Sequence, residues 1–261
     1  MMKQRLILFF ILLLLAWPLG SLAGNEKIGI VLLHGKQDRQ PYKIDFLARE
    51  LNNKGYLVSA PEMPWSRNRI YDATYEEAML EIDKAVEKLR KDGAQKIIVG
   101  GLSLGGNAAL GYGARRDNLA GLIIMAPGHF PEAQKFREMS ESDITKAKEL
   151  VAAGKGDKWM NFNDSNMGKY FTSQASVKVY LSYFDPNGPA VVPANAAAIR
   201  SPIPILWVVG ANDPLTRPIS YAFDKAPTHP KSKYLSVNAG HLDAPTVAAE
   251  QIILWIKSLE N

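Results

Sequence analysis

The chain has 261 residues, carries a formal net charge of +5 and contains no cysteine. Its excess of positive charge is small and dispersed, which is not typical of a nucleic-acid-binding surface, so no nucleic-acid partner is expected. The absence of cysteine excludes disulfides, a thiol nucleophile and thiolate metal sites, so burial of the core must supply the stability.

The first 23 residues have the pattern of a signal peptide. Lys3 and Arg5 precede an apolar run over residues 6–17, and a small-x-small pattern ends at Ala23. The run is shorter than the roughly twenty residues that a membrane-spanning helix needs, although an uncleaved N-terminal anchor is the alternative interpretation. We therefore predict cleavage after Ala23, export to the periplasm or the extracellular space, and no stable membrane anchor afterwards.

Short apolar runs alternate with helical patterns through the rest of the chain. The runs lack the polar alternation of half-exposed strands, which predicts strands buried on both faces of a parallel sheet. The predicted strands cover residues 27–33, 56–60, 97–99, 122–125, 205–209 and, more weakly, 234–237. Apolar residues at helical spacing predict helices over residues 41–54, 74–92 and 247–259. Thr74 and Glu77 form a capping box at the start of the second of these helices.

The segment from about residue 130 to residue 200 has a different character. Helical patterns occur at 144–153 and 173–184, a polar, Asn-rich stretch separates them, and no pattern of short strands is visible. The alternating strands and helices elsewhere require an α/β fold with a doubly wound, mostly parallel sheet. The sequence therefore predicts a single α/β domain over residues 24–261, with a small helical cap inserted before the strand at 205–209.

The motif Gly101-Leu102-Ser103-Leu104-Gly105 lies where a predicted strand runs into a helix. This G-x-S-x-G pattern holds a serine on a turn so sharp that only glycine fits on either side. We expect a strained backbone at Ser103, with the hydroxyl exposed above the sheet. An ordinary serine in a glycine-rich turn is the alternative interpretation.

The carboxyl ends of parallel strands meet at one edge of the sheet, and ligands bind there. Ser103, Asp213 and His241 follow predicted strands in that chain order. His34-Gly35 follows the first predicted strand. The sequence therefore brings a serine, an acid and a histidine to the same edge.

These residues resemble the motifs of the α/β-hydrolase superfamily, and the resemblance covers essentially the whole chain after the signal peptide. Gly210-Ala211-Asn212-Asp213-Pro214 resembles the acid loop of that family, and Ala239-Gly240-His241 resembles its histidine loop. His34-Gly35 resembles the His-Gly pair that precedes the oxyanion hole. The match begins at the third strand of the family, as in compact members such as the dienelactone-hydrolase-like group. That group uses a cysteine nucleophile, whereas this chain has a serine.

The resemblance implies a serine hydrolase that cleaves the carboxylic ester of a small molecule through an acyl-enzyme, with thioesters and amides as alternative substrates. Ser103 is then the nucleophile, His241 its base, and Asp213 the acid that orients His241. The backbone N–H groups of Leu104 and Lys36 would form the oxyanion hole. Activity should fall below roughly pH 6.5, where a histidine base becomes protonated. An acyltransferase with the same triad and a non-catalytic binding protein on the same fold are the alternatives.

Other acids and histidines compete for these roles. Asp185 and Asp243 are competing acids, but neither follows a clear strand. His34 is expected to order the oxyanion loop, and His129 is a candidate substrate-binding residue with a structural role as its alternative. No phosphate-binding glycine motif follows a strand, and no two histidines have ligand spacing on one helix, so neither a cofactor nor a metal is predicted.

Overall fold

The computed structural model describes residues 26–260, so the predicted signal peptide lies outside the described residues. Within this range the chain forms eight strands: β1 (Ile28–Leu33), β2 (Leu57–Ser59), β3 (Lys96–Leu102), β4 (Gly121–Met125), β5 (Trp159–Asn166), β6 (Lys169–Ser176), β7 (Ile205–Gly210) and β8 (Lys233–Val237). Six of them form one sheet in the order β2-β1-β3-β4-β7-β8, with every neighbouring pair parallel. The prediction of a doubly wound parallel sheet is confirmed.

The described residues also form helices on both faces of this sheet: α1 (Asp45–Asn53), α2 (Tyr75–Lys91), α3 (Leu104–Gly113), α4 (Gln134–Ala152), α5 (Val177–Phe184), α6 (Val192–Ala197), α7 (Ala244–Val247) and α8 (Ala249–Lys257). The predicted capping box is confirmed at the start of α2. The Thr74 hydroxyl accepts a hydrogen bond from the Glu77 backbone N–H, and the Glu77 carboxylate accepts one from the Thr74 N–H. No helix within residues 26–260 is long and apolar enough to span a bilayer.

The central strands are buried because the sheet is covered on both faces. All six residues of β1 are buried, and its side chains other than Gly29 are divided between two apolar clusters on opposite faces of the sheet. Ile30 and Leu32 pack with residues of α1 and α8, whereas Val31 and Leu33 pack with residues of α2 and α3. A strand that is apolar on both sides fits this environment, which explains why β1 lacks a polar alternation.

The register aligns the carboxyl ends of the central strands. Leu33 pairs with Gly101, and Leu102 pairs with Met125. On the side of the sheet formed by β7 and β8, the last residues of the two strands, Gly210 and Val237, also pair. The loops that follow β1, β3, β4, β7 and β8 therefore leave the sheet along one edge.

The segment between β4 and β7 is not wholly helical, which corrects the prediction of a helical cap. Strands β5 and β6 form an antiparallel hairpin that pairs Trp159 with Ser176 and Asn166 with Lys169. The helix predicted from residue 173 begins at Val177, because the residues before it continue β6.

The hairpin β5–β6 was not predicted from the sequence, because only alternate side chains are buried and not all of these are apolar. In β5 the buried residues are Phe162 and Asp164, with exposed or half-buried neighbours. Met167 and Gly168 form the two-residue turn with φ angles of 50° and 75°, which suits a tight hairpin. The Asn-rich composition of β5 conceals this period of two.

Candidate active site

Ser103 lies on a sharp turn between β3 and α3. Its backbone has φ 58° and ψ −120°, a conformation that costs a non-glycine residue about 1–3 kcal/mol. The turn is held by its neighbours, since the Ser103 N–H donates to the Met125 carbonyl at 3.0 Å. The Ser103 carbonyl accepts from the Asn107 N–H at 3.0 Å. The predicted backbone strain at this serine is confirmed.

The glycines of the motif are required by close backbone contacts. A Cβ atom on Gly101 would overlap the carbonyl of Gly105, and a Cβ atom on Gly105 would overlap the carbonyl of Leu33. Helix α3 therefore begins directly against the ends of β1 and β3. The expectation that only glycine fits at these two positions is confirmed.

Asp213 and His241 are joined by a buried hydrogen bond. The distance from His241 Nδ1 to Asp213 Oδ2 is 2.7 Å, and each side chain is 1% exposed. An ionised carboxylate only accepts, so Nδ1 carries the proton and the lone pair lies on Nε2. The other carboxylate oxygen of Asp213 accepts from the Leu215 N–H at 2.8 Å, which fixes the carboxylate. Asp185 instead pairs with Lys148 at 2.9 Å.

Ser103 and His241 face the same point beside Gly128. A Cβ atom on Gly128 would lie 2.7 Å from Ser103 Oγ and 3.6 Å from His241 Cε1. Within residues 26–260, Nε2 of His241 is buried without a hydrogen-bond partner, and Ser103 Oγ does not bond to it. Catalytic hydrogen bonds of this kind are often loose before substrate binds and tighten in the complex.

The loop after β1 passes beside the serine. A Cβ atom on Gly35 would lie 3.4 Å from Ser103 Cβ, and Lys36 lines a cavity of about 160 Å³ together with Ser103 and His241. Leu104 is the first residue of α3, where the N–H groups have no intrahelical acceptor. The two predicted oxyanion donors, Lys36 and Leu104, therefore belong to segments on either side of Ser103.

His34 orders this loop with both of its ring nitrogens. Nδ1 donates to the Gly35 carbonyl at 2.8 Å, and Nε2 accepts from the Met63 N–H at 3.0 Å. The ring stacks on Tyr42 with 4.4 Å between the centroids. Burial lowers the pKa of His34, so the imidazole is held neutral. The contacts agree with a role in ordering the loop.

The side chain of Lys36 makes a buried ion pair that the sequence did not indicate. Lys36 Nζ lies 2.6 Å from Asp164 Oδ1 in β5, and the two side chains are 4% and 0% exposed. Nζ also donates to the Ser165 carbonyl at 2.9 Å, and Asp164 Oδ2 accepts from Ser173 at 2.9 Å. The partners are 128 residues apart, so spacing gave no signal. The sequence gives one sign of this ion pair: Asp164 lies two residues after Phe162, so both side chains point to the buried face of β5.

His129 lies in the wall of a larger cavity, beside the inserted segment. Its Nε2 donates to the Tyr183 carbonyl at 2.8 Å, and its ring packs edge-on against Phe136 and Phe184. Burial, with the nearby charge of Lys36, lowers the pKa of His129 well below its ordinary value. Its Nδ1 is buried with no hydrogen-bond partner among residues 26–260. The structure thus gives His129 a packing role and a place at the cavity.

The larger cavity has a volume of about 660 Å³ and extends from Ser103 to the inserted segment. Its wall is mixed: it includes four aromatic side chains, Phe130, Phe136, Tyr170 and Tyr221, and three cationic side chains, Lys36, Lys135 and Arg217. Within residues 26–260 no group of three or more His, Asp or Glu side chains is arranged to bind a metal ion.

Asn107 connects α3 with both ends of the inserted segment. Its amide nitrogen donates to the carbonyls of His129 and Ala190, each at 2.8 Å, and its amide oxygen accepts from the Tyr75 hydroxyl at 2.9 Å. Asn107 lies one helical turn after Ser103, and its side chain is fully buried. This residue therefore fixes the start of α3 relative to the cavity wall.

Solved structures with the same fold include several enzymes of low sequence identity. A monoacylglycerol lipase from Paleococcus ferrophilus is 22% identical, with a TM-score of 0.64 over 88% of this chain and 94% of that one. A carboxyl esterase from Bacillus coagulans is 17% identical, with a TM-score of 0.64 over 90% and 91%. A structure of the metagenome-derived lipolytic enzymes LipS and LipT is 15% identical, with a TM-score of 0.63 over 90% and 95%. At these identities the likeness shows the fold.

The sequence itself also identifies the family. No curated protein matches the chain. The model of the alpha/beta hydrolase family matches residues 30–252, which include the turn at Ser103 and the loops that carry Asp213 and His241. The chain belongs to the alpha/beta hydrolase family.

Proposed function

We propose that this protein is an exported serine hydrolase that cleaves a carboxylic ester through an acyl-enzyme. The observation that carries the proposal is the buried hydrogen bond between His241 and Asp213 beside a serine on a strained turn. Ser103 is the nucleophile, His241 the general base and Asp213 the residue that orients the imidazole.

In the first step Ser103 Oγ attacks the carbonyl carbon of the ester while its proton passes to Nε2 of His241. The imidazole can take this proton because its other nitrogen already donates to Asp213. The carboxylate then stabilises the imidazolium that forms. The C=O electron pair moves onto the carbonyl oxygen, and the product of this step is a tetrahedral oxyanion.

The oxyanion needs hydrogen-bond donors that are already in place. The backbone N–H groups of Leu104 and Lys36 are the proposed donors. Collapse of the intermediate expels the alcohol, which takes the proton from His241, and leaves an acyl group on Ser103. A water molecule then repeats the sequence, with His241 as its base, and releases the acid.

The comparisons support ester hydrolysis as the reaction. The related folds include a protein described as a monoacylglycerol lipase, one described as a carboxyl esterase and one described as lipolytic. All three descriptions refer to ester substrates. The cavity beside Ser103 includes four aromatic side chains, and their apolar surfaces suit the acyl or alcohol part of a small ester.

A fluorophosphonate probe tests the assignment of the nucleophile. We expect the purified protein to be labelled, Ser103→Ala to abolish the labelling, and Ser258→Ala, at the end of α8, to retain it. Hydrolysis of 4-nitrophenyl esters should be lost in the same variant as the labelling. Full labelling of Ser103→Ala would remove Ser103 from the mechanism.

Export rests on the sequence of residues 1–23 and is tested separately. We expect the full-length gene product, expressed in a bacterial host, to appear outside the cytoplasm with a mature N-terminus at Gly24. Intact mass and cell fractionation provide the measurement. Retention of the intact N-terminus in the cytoplasm would contradict export and leave the hydrolase assignment unaffected.

A further inference from the structure

The larger cavity beside Ser103 has an unbalanced charge. Its wall contains the cations Lys36, Lys135 and Arg217, and no carboxylate lies in it. Lys36 is neutralised by its buried ion pair with Asp164. Lys135 and Arg217 are both exposed, and within residues 26–260 neither forms an ion pair or a side-chain hydrogen bond.

Arg217 is exposed, and its guanidinium lies over two aromatic rings. The guanidinium carbon lies 5.1 Å from the ring centre of Phe130 and 5.8 Å from that of Tyr221. The backbone of Arg217 is tied down as well, because its carbonyl accepts from the Tyr234 hydroxyl at 3.0 Å. Contacts between a guanidinium and aromatic rings leave the N–H groups available for an anion.

Glu132 interacts electrostatically with Arg217, but within residues 26–260 the two side chains form no ion pair. It accepts a hydrogen bond from the Tyr221 hydroxyl and does not line the cavity. Burial raises the pKa of Glu132 even though the charge of Arg217 acts in the opposite direction. The Glu132 carboxyl thus hydrogen-bonds to Tyr221 and not to the guanidinium of Arg217.

We propose that the ester substrate carries an anionic group, a carboxylate or a phosphate, which binds to Arg217 in the larger cavity. Both groups match the planar fork of a guanidinium, which can donate two parallel hydrogen bonds to either. Lys135 adds a second positive charge on the same wall. This inference rests on the proposed function and narrows its substrate class.

The test compares matched anionic and neutral esters. For an anion in the acyl part, the pair is the 4-nitrophenyl monoester of glutaric acid and its methyl ester. For an anion in the alcohol part, the pair is an acylglycerol phosphate and the acylglycerol without phosphate. We expect kcat/KM to favour the anionic member of at least one pair by about tenfold or more, and added salt to reduce that ratio.

Variants of Arg217 assign the preference to this residue. Arg217→Gln should bring the ratio of anionic to neutral kcat/KM close to one, and Arg217→Lys should restore only part of it, because an ammonium group lacks the bidentate fork. Arg200→Gln removes an exposed arginine outside the cavity wall and should leave the ratio unchanged. A preference that survives in Arg217→Gln would overturn the inference.

The two proposals fail in different ways. Hydrolysis of neutral esters with no anionic preference in either pair overturns the substrate class and leaves the serine hydrolase in place. If no ester is hydrolysed, calorimetric titration with glutarate and with glycerol phosphate decides the anion site. Binding that Arg217→Gln removes supports the site, whereas the absence of binding overturns it.

Discussion

Lys36 Nζ lies 2.6 Å from Asp164 Oδ1 in an ion pair that excludes solvent almost completely. The pair joins the loop after β1 to the hairpin β5–β6, two parts of the chain that both border the cavity. The same loop carries the backbone N–H of Lys36, a proposed oxyanion donor. The ion pair therefore couples the position of that donor to the inserted segment.

Removing one partner of this pair should be strongly destabilising. In Lys36→Met the carboxylate of Asp164 remains buried without its cation, and we expect a loss of about 3–5 kcal/mol in the free energy of unfolding. Chemical denaturation provides the measurement. Lys178→Met is the control, because Lys178 pairs with Asp157 at a similar distance on the surface. Similar losses of unfolding free energy in the two variants would show that the buried pair contributes no more to stability than the surface pair.

Gly128→Ala should impair catalysis while the fold is retained. The new methyl group would lie 2.7 Å from Ser103 Oγ, and the hydroxyl can avoid it by rotating away from its position beside His241. A displacement of the reacting group by about 1 Å typically lowers the rate by about a hundredfold. Steady-state kinetics and a thermal melt measure the two effects. Gly156→Ala, where the nearest heavy atom is 3.6 Å away, is the matched control. An unchanged kcat in Gly128→Ala would place the reacting hydroxyl elsewhere.

Asp213→Asn should lower kcat by about ten-thousandfold with little change in structure. The asparagine amide can donate to Nδ1 of His241, and the imidazole proton then moves to Nε2, where the lone pair is needed. Asp243→Asn tests the competing acid, which is exposed, and should retain nearly full activity. If Asp243→Asn were the inactive variant, the assignment of the acid would be wrong.

The stability of the protein should fall in mild acid partly because of His129. Its pKa is well below the ordinary value of about 6.5, which the unfolded chain retains. Below that pH the unfolded state binds a proton that the folded state does not, so the free energy of unfolding decreases as the pH falls. The contribution is at most about 1.4 kcal/mol per pH unit.

His129→Asn isolates this contribution. Asparagine tolerates the φ of 62° at this position and can keep a donor near the Tyr183 carbonyl. We expect a shallower dependence of unfolding free energy on pH between 6.5 and 5 than in the unchanged protein. Measurement at pH 8 separates the loss of packing from the loss of titration. Identical slopes in the two proteins would show that His129 does not titrate in this way.

The sheet was predictable because its strands are buried on both faces and therefore appear as unbroken apolar runs. The runs that became β1, β4 and β7 were recognised within a residue or two of their bounds. The hairpin β5–β6 was not predictable by the same rule. Its stability comes from one inward face that contains a charged residue, Asp164, and that residue is stabilised by a distant lysine.

Some residues of the candidate site could be predicted from the sequence, and others could not. Ser103, Asp213 and His241 could be named from the sequence, because a parallel sheet brings the residues after its strands to one edge. The contacts of Lys36, Asn107 and Arg217 depend on how the inserted segment packs, and this packing has no local signature. His129 was recognised as a residue near the cavity, and its proposed contact with substrate stays a prediction.

The two hydrogen bonds from Asn107 have a consequence for how the inserted segment can change. The segment leaves the body of the fold at His129 and returns near Ala190, and one amide group holds both carbonyls. Insertions, deletions or exchanges of sequence between these points would leave both attachments to α3 intact. The fold thus separates a fixed sheet edge, which carries Ser103, from an inserted segment that can vary, and chimaeras joined at these two carbonyls should keep Ser103 in place.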